Sequence, residues 1–162
     1  EEKLNLKVAA MITCFAVAPM AIAQTNSGPS TNQFVVEFGY LKKDSRNEDV
    51  VFNHTSTIPL RARDTGFRYG AVIYNRSKSS YTTYAIHKLP QTPQTYSTAN
   101  GAAASASSDT MRTPTKTDTA GTSYECWFDN GDPAGIYEMR IYVNEALLTN
   151  ISYSVTREPK GK

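Results

Sequence analysis

The sequence predicts an antiparallel all-β domain behind a secretory leader, and three observations carry that reading. Large apolar residues recur at every second position in several short runs, which puts them on one face of a strand. Clusters of Gly, Pro, Asn and Asp punctuate those runs. Beyond the N-terminal segment, no long stretch keeps an apolar pattern of helical period.

The leader comes first. Val8 to Ala18 reads VAAMITCFAVA, with Lys3 and Lys7 ahead of it, Pro19 behind it, and small residues at Ala21 and Ala23. That is the three-part layout of a signal peptide, so residues 1–23 are expected to be removed between Ala23 and Gln24. The apolar stretch from Val8 to Ala23 is 16 residues, short of the ~20 that span a bilayer. No stable membrane insertion is expected after cleavage, and the expected location is periplasmic or secreted. Residues 24–32 are rich in Ser, Thr, Gly, Pro and Asn and read as a flexible leader to the domain.

Cleavage leaves 139 of 162 residues, with 15 Lys and Arg against 13 Asp and Glu. A chain of that length supports one domain, here residues 33–157, followed by a tail at 158–162. So small a net charge gives no electrostatic reason to expect nucleic acid as a partner. Cys126 is the single cysteine left after cleavage, so the domain must hold together without an internal disulfide.

In Gln33–Leu41, Phe34, Val36, Phe38 and Tyr40 share one face. Val50–Leu60 does the same with Val50, Phe52, Ile58 and Leu60, and Pro59 confines that end to an edge or a terminus. Phe67, Tyr69, Ala71 and Ile73 mark a third strand, the β-favouring Tyr81–Leu89 a fourth, and Ser123–Phe128 a short fifth. Asp129 to Pro133 is a turn cluster. Tyr137, Met139, Ile141 and Val143 then alternate up to Asn144-Glu145, a tight hairpin turn burdened by the resistance of Glu to positive φ. Leu147, Ile151, Tyr153 and Val155 return, interrupted by Thr149. A closing hairpin after such strands predicts an immunoglobulin-like sandwich of about seven strands, although the usual cysteine pair and core Trp spacing are missing. Between about 90 and 122 Met111 is the one sizeable apolar residue after Tyr96, so the segment reads as a long mobile loop that could order on a partner.

The run Thr57-Ile58-Pro59-Leu60-Arg61-Ala62-Arg63-Asp64-Thr65-Gly66-Phe67-Arg68-Tyr69-Gly70, with Ala134-Gly135-Ile136-Tyr137 and the Asn144-Glu145 hairpin, resembles an uncharacterised family of exported bacterial proteins. That family carries an IP…G…FG segment and a closing G-x-[WY] hairpin on a sandwich-like domain of unknown function. The resemblance spans roughly Phe34 to Val155 with the loop as a gap. His87-Lys88-Leu89-Pro90 matches its His-Pro segment only loosely, because the two residues are not adjacent here. The resemblance implies export and the sandwich, and no activity.

No local motif brings a nucleophile or metal ligands together with His54 or His87. Asp129, Asn130 and Asp132 are too short a run for a calcium loop, and alternation puts Cys126 on a core face beside Tyr124 and Phe128, an inert thiol. The expectation is therefore a non-enzymatic domain with no catalytic, cofactor or metal residues. The candidate partner-binding residues are Arg61, Arg63 and Arg68, which gather positive charge where tyrosines are also abundant, a composition favoured at protein interfaces. The function expected is an exported binding or accessory module engaging another envelope or extracellular protein. The alternatives are a hydrolase whose site is assembled from distant residues, and a fimbrial subunit. The three N-x-S/T sequons, at Asn53, Asn75 and Asn150, would matter only in a eukaryotic secretory pathway.

Overall fold

A computed structural model describes residues 32–62, 64, 66–97, 103–105 and 108–157. The expected signal peptide at 1–23, nearly all of the leader, the tail at 158–162 and Arg63 lie outside the described residues. Seven strands of six or more residues build the domain: β1 (Phe34–Lys43), β2 (Asp49–His54), β4 (Tyr69–Asn75), β5 (Tyr81–Lys88), β10 (Gly121–Cys126), β11 (Gly135–Val143) and β12 (Ala146–Thr156). Five strands of three residues join them: β3 (Thr57–Pro59), β6 (Thr95–Ser97), β7 (Ala103–Ser105), β8 (Thr110–Arg112) and β9 (Lys116–Asp118).

Two sheets form the sandwich. One runs β10-β4-β1-β2, the other β3-β12-β11-β5-β8, with β9 also paired to β5. Their inner faces meet over Phe34, Tyr69, Ala71, Ile73 and Tyr124 from the first sheet and Ile58, Tyr81, Ala85, Tyr137, Met139, Ile141, Val143, Tyr153 and Val155 from the second. Apart from Tyr81 and Ala85 of β5, these are the residues whose period-two spacing marked them as one-faced. The order β5-β11-β12, closed by a β11–β12 hairpin, is the C–F–G half of an immunoglobulin-like sandwich. Tyr137, near the start of β11, donates its hydroxyl to the Pro133 carbonyl at 2.7 Å, as the tyrosine corner of that fold does. Two residues on, Met139 stands where antibody domains carry their second cysteine. The structure replaces the cysteine–Trp pin with rings: Tyr69 stacks on Phe128 at 4.9 Å, and Tyr153 lies within 6 Å of Phe38, Tyr69 and Tyr137.

The expected single strand at Val50–Leu60 divides. β2 pairs with β1 in the first sheet, whereas β3 crosses over and runs parallel to β12 in the second. Ile58 is thereby fully buried while Phe52 faces solvent, and Pro59 ends an edge strand, where its missing N–H costs nothing. Leu147 also departs from the expected face. The β11–β12 register shifts between Ile141 and Tyr142, so Leu148 is an extra residue on β12 and the phase of the strand reverses there. Leu147 ends up exposed, and Leu148 packs against the core. The segment read as one loop at 90–122 carries β6, β7, β8, β9 and the first residues of β10, and β8 and β9 extend the second sheet beyond β5.

Gly39 and Gly70 face each other across β1 and β4, with φ of 155° and 149°. A Cβ on either would run into a carbonyl of the neighbouring strand, that of Asn53 or Tyr124. The chain bends here. Although β2 and β10 are at opposite ends of their sheet, the Ser123 hydroxyl donates to Asp49 at 2.6 Å, and Lys43 pairs with the same carboxylate at 2.8 Å. The β1–β2 hairpin therefore leans over the outer side of the sheet. Val72, on that outer side, is buried, as is Leu41, and neither belongs to the core between the sheets.

Candidate functional site

Beside this hairpin three neighbouring rings run between two cations. In the β1–β2 ladder the partner residue jumps from Asn53, opposite Tyr40, to Val51, opposite Leu41, leaving Phe52 as the bulged residue. A bulge re-aims a side chain, and Phe52 is 54% exposed. Its ring lies 6.1 Å from Tyr40, and Tyr40 lies 5.3 Å from Phe67. Lys42 stands over Phe52 at 5.6 Å, and Arg61 over Phe67 at 5.2 Å. Arg61, Asp64, Gly66 and Phe67 are tied to one another: Asp64 N–H donates to the Arg61 carbonyl, Phe67 N–H to the Asp64 carbonyl, and Gly66 N–H to the Asp64 side chain. The result is a continuous strip, Lys42–Phe52–Tyr40–Phe67–Arg61, with a cation at each end. Cation–π contacts of this kind hold a long side chain in place at an energy of about 0.5–1 kcal/mol each when exposed.

Of the three arginines singled out in the sequence, Arg61 belongs to this strip and also stands 3.8 Å from Asp64. Arg68 points elsewhere. It bonds Glu125 at 2.8 Å and lies over Trp127 at 5.4 Å. Arg63 is outside the described residues. The sequence did not single out Lys42 or Phe52 as interface residues, because the bulge that turns Phe52 outward leaves no compositional mark.

The titratable groups that could do acid–base chemistry are dispersed. His54 is exposed, 3.8 Å from Glu37, on the outer side of the first sheet. His87, on the inner face of β5, is 8% exposed, and burial alone pushes its pKa down to about 4. Burial pushes the Cys126 thiol up to about 12, and its sulfur approaches the Tyr124 carbonyl at 3.9 Å. Such a thiol holds its proton and is a poor nucleophile. Burial likewise raises Asp132 to about 6, even though it accepts the Asp129 N–H at 2.7 Å. That bond belongs to the turn before β11. Among the described residues, no three His, Cys, Asp or Glu side chains gather as metal ligands, and no helix is long and apolar enough to cross a membrane. Asn75 is a latch: its amide donates to the Ser79 and Thr119 carbonyls at 2.7 and 2.8 Å, and the residue is buried. A sugar could not be carried at that sequon.

A model of the family described as the PM0630 beta sandwich domain matches residues 36–156, and the chain belongs to that family. Among solved structures, an immunoglobulin-like protein of Pseudomonas aeruginosa is similar, with TM-score 0.50, 14% identity, 79% of this chain covered and 100% of that one. That likeness shows the fold. An alkylpurine DNA glycosylase of Pseudomonas fluorescens, solved with DNA containing an abasic site analogue, matches with TM-score 0.33, 11% identity, 74% of this chain and 30% of that one. At that score the likeness carries no argument. No curated protein matches the sequence.

Proposed function

We propose that this immunoglobulin-like domain is a non-enzymatic binding module that engages another protein, in the bacterial envelope or outside the cell, through the Lys42–Phe52–Tyr40–Phe67–Arg61 strip. The observation that carries the reading is Phe52, a large ring turned to solvent by a bulge, with the Tyr40 ring and the Lys42 ammonium beside it. Rings and Arg are enriched where protein interfaces concentrate their energy, since they join contact area to directed polar contacts. The positive ends favour a partner surface with carboxylates flanking an apolar pocket. The perturbed groups speak for binding rather than catalysis: Cys126 is held protonated, and His87 and Asp132 stand on different elements. Among the described residues the His54–Glu37 pair is the feature a hydrolase would use, and its 3.8 Å separation lies on an open outer sheet face.

The test is an envelope pull-down with the mature protein and three variants, each checked by circular dichroism. Arg61→Glu with Phe52→Ser should abolish capture of a specific partner, whereas His54→Ala and His87→Gln should keep it. Capture that survives the double change but fails with a His variant would overturn the strip. A hydrolytic activity abolished by His54→Ala would overturn the binding reading itself.

A further inference from the structure

In the second sheet, three strands set Met111 (β8), His87 (β5) and Met139 (β11) directly opposite one another in one row. His87 and Met139 are buried on the inner face, and Met111 is half-buried and packs against the same core. Residues directly opposite on neighbouring strands have Cβ atoms about 4.5–5.5 Å apart, so two thioethers flank one imidazole at a spacing that a shared ligand can close. Among the described residues no hydrogen bond holds the His87 ring, and its nitrogens are not sealed from solvent, so the imidazole is open to a ligand. We propose that this row is a binding site for a soft monovalent metal ion, cuprous copper above all, with His87 nitrogen and the Met111 and Met139 sulfurs as ligands.

The donor chemistry selects the ion. Thioethers are soft ligands that favour Cu(I), and imidazole suits copper as well. No carboxylate acts on His87, whose environment is apolar. Three neutral donors leave a single positive charge in that interior, and the cost of burying a charge grows steeply with its size. A divalent ion such as zinc, which lacks both its preferred thiolate or carboxylate ligands and any neutralising charge here, is disfavoured. Entry is at the edge of the sheet, where Met111 sits on a three-residue strand and is partly open to solvent. The two methionines are 24 and 52 residues away from His87, so no local motif announces them.

The test titrates Cu(I), buffered by bicinchoninate under anaerobic conditions, into the full chain labelled with carbon-13 at the methionine methyls. One equivalent should bind, with the Met111 and Met139 methyl resonances shifting together and those of Met11 and Met20 staying in place. Met111→Leu with Met139→Leu keeps the volume, so the fold should melt within a few degrees of the parent. That variant should lose affinity by at least about tenfold. His87→Gln should lose it comparably. Failure to take Cu(I) from bicinchoninate would overturn the proposal. Binding that leaves the Met111 and Met139 methyls unshifted, or that survives in the folded double Leu variant, would place the ion on other ligands and overturn it equally.

Discussion

The Tyr137 hydroxyl donates to the Pro133 carbonyl across the corner that leads into β11, at 2.7 Å and out of reach of water. Tyr81 offers the contrast: its hydroxyl is buried and has no hydrogen-bond partner among the described residues. The two phenols should therefore respond in opposite ways to loss of the oxygen. Tyr137→Phe removes a bond and strands a buried carbonyl, at a cost of about 1–3 kcal/mol. Tyr81→Phe removes an unsatisfied group and should be neutral or stabilising by about 1 kcal/mol. Urea denaturation of both variants checks this, and equal losses would contradict it.

The turn between β11 and β12 places both Asn144 and Glu145 at positive φ, 48° and 66°. This is the type I′ geometry that Asn-Gly satisfies without strain and Glu does not. Asn144 is also tied to β5, accepting the Thr82 N–H at 2.9 Å through its side chain. Glu145→Gly should raise the melting temperature by a few degrees, corresponding to about 1 kcal/mol. Asn144→Ala should lower it.

Two buried groups should oppose each other in acid. His87 titrates near 4 in the folded state against 6.5 for the free side chain. Its contribution is fully present above pH 6.5 and is lost as pH falls toward 4, by on the order of 3 kcal/mol. Asp132 is raised from 3.8 to about 6, so its contribution is present in acid and is lost as pH rises through about 6. The windows overlap, and the parent should change stability little between pH 4 and 6.5 on their account. Asp132→Asn should make the domain more acid-labile in that window, and His87→Gln less so. Stability curves against pH that run parallel for all three proteins would contradict these assignments.

The sandwich was legible because its inner rows obey period two. Tyr137, Met139, Ile141 and Val143 are buried as their alternation requires, and the Asn144-Glu145 turn falls where the pattern breaks. What the pattern could not give were the places where phase changes. The extra residues Phe52 and Leu148 each reverse the alternation, and both exposed side chains misjudged from sequence, Phe52 and Leu147, lie at those bulges. The division of β2 from β3 depends on a change of sheet, which local composition does not encode. The candidate strip follows the same logic. Arg61 was visible as a charge near aromatics, but Tyr40 and Phe52 join it only through Phe67, by ring contacts between segments distant in sequence.

Photo-crosslinking from position 52 tests the central claim most directly. A benzoylphenylalanine placed there in the full chain keeps a ring at the exposed centre of the strip and should yield one discrete protein adduct on irradiation in the cell envelope. The same probe at Asn150, on the outer side of the second sheet opposite Arg140, should yield none. Arg61→Glu should suppress the position-52 adduct. An adduct from position 150 with none from position 52 would contradict it.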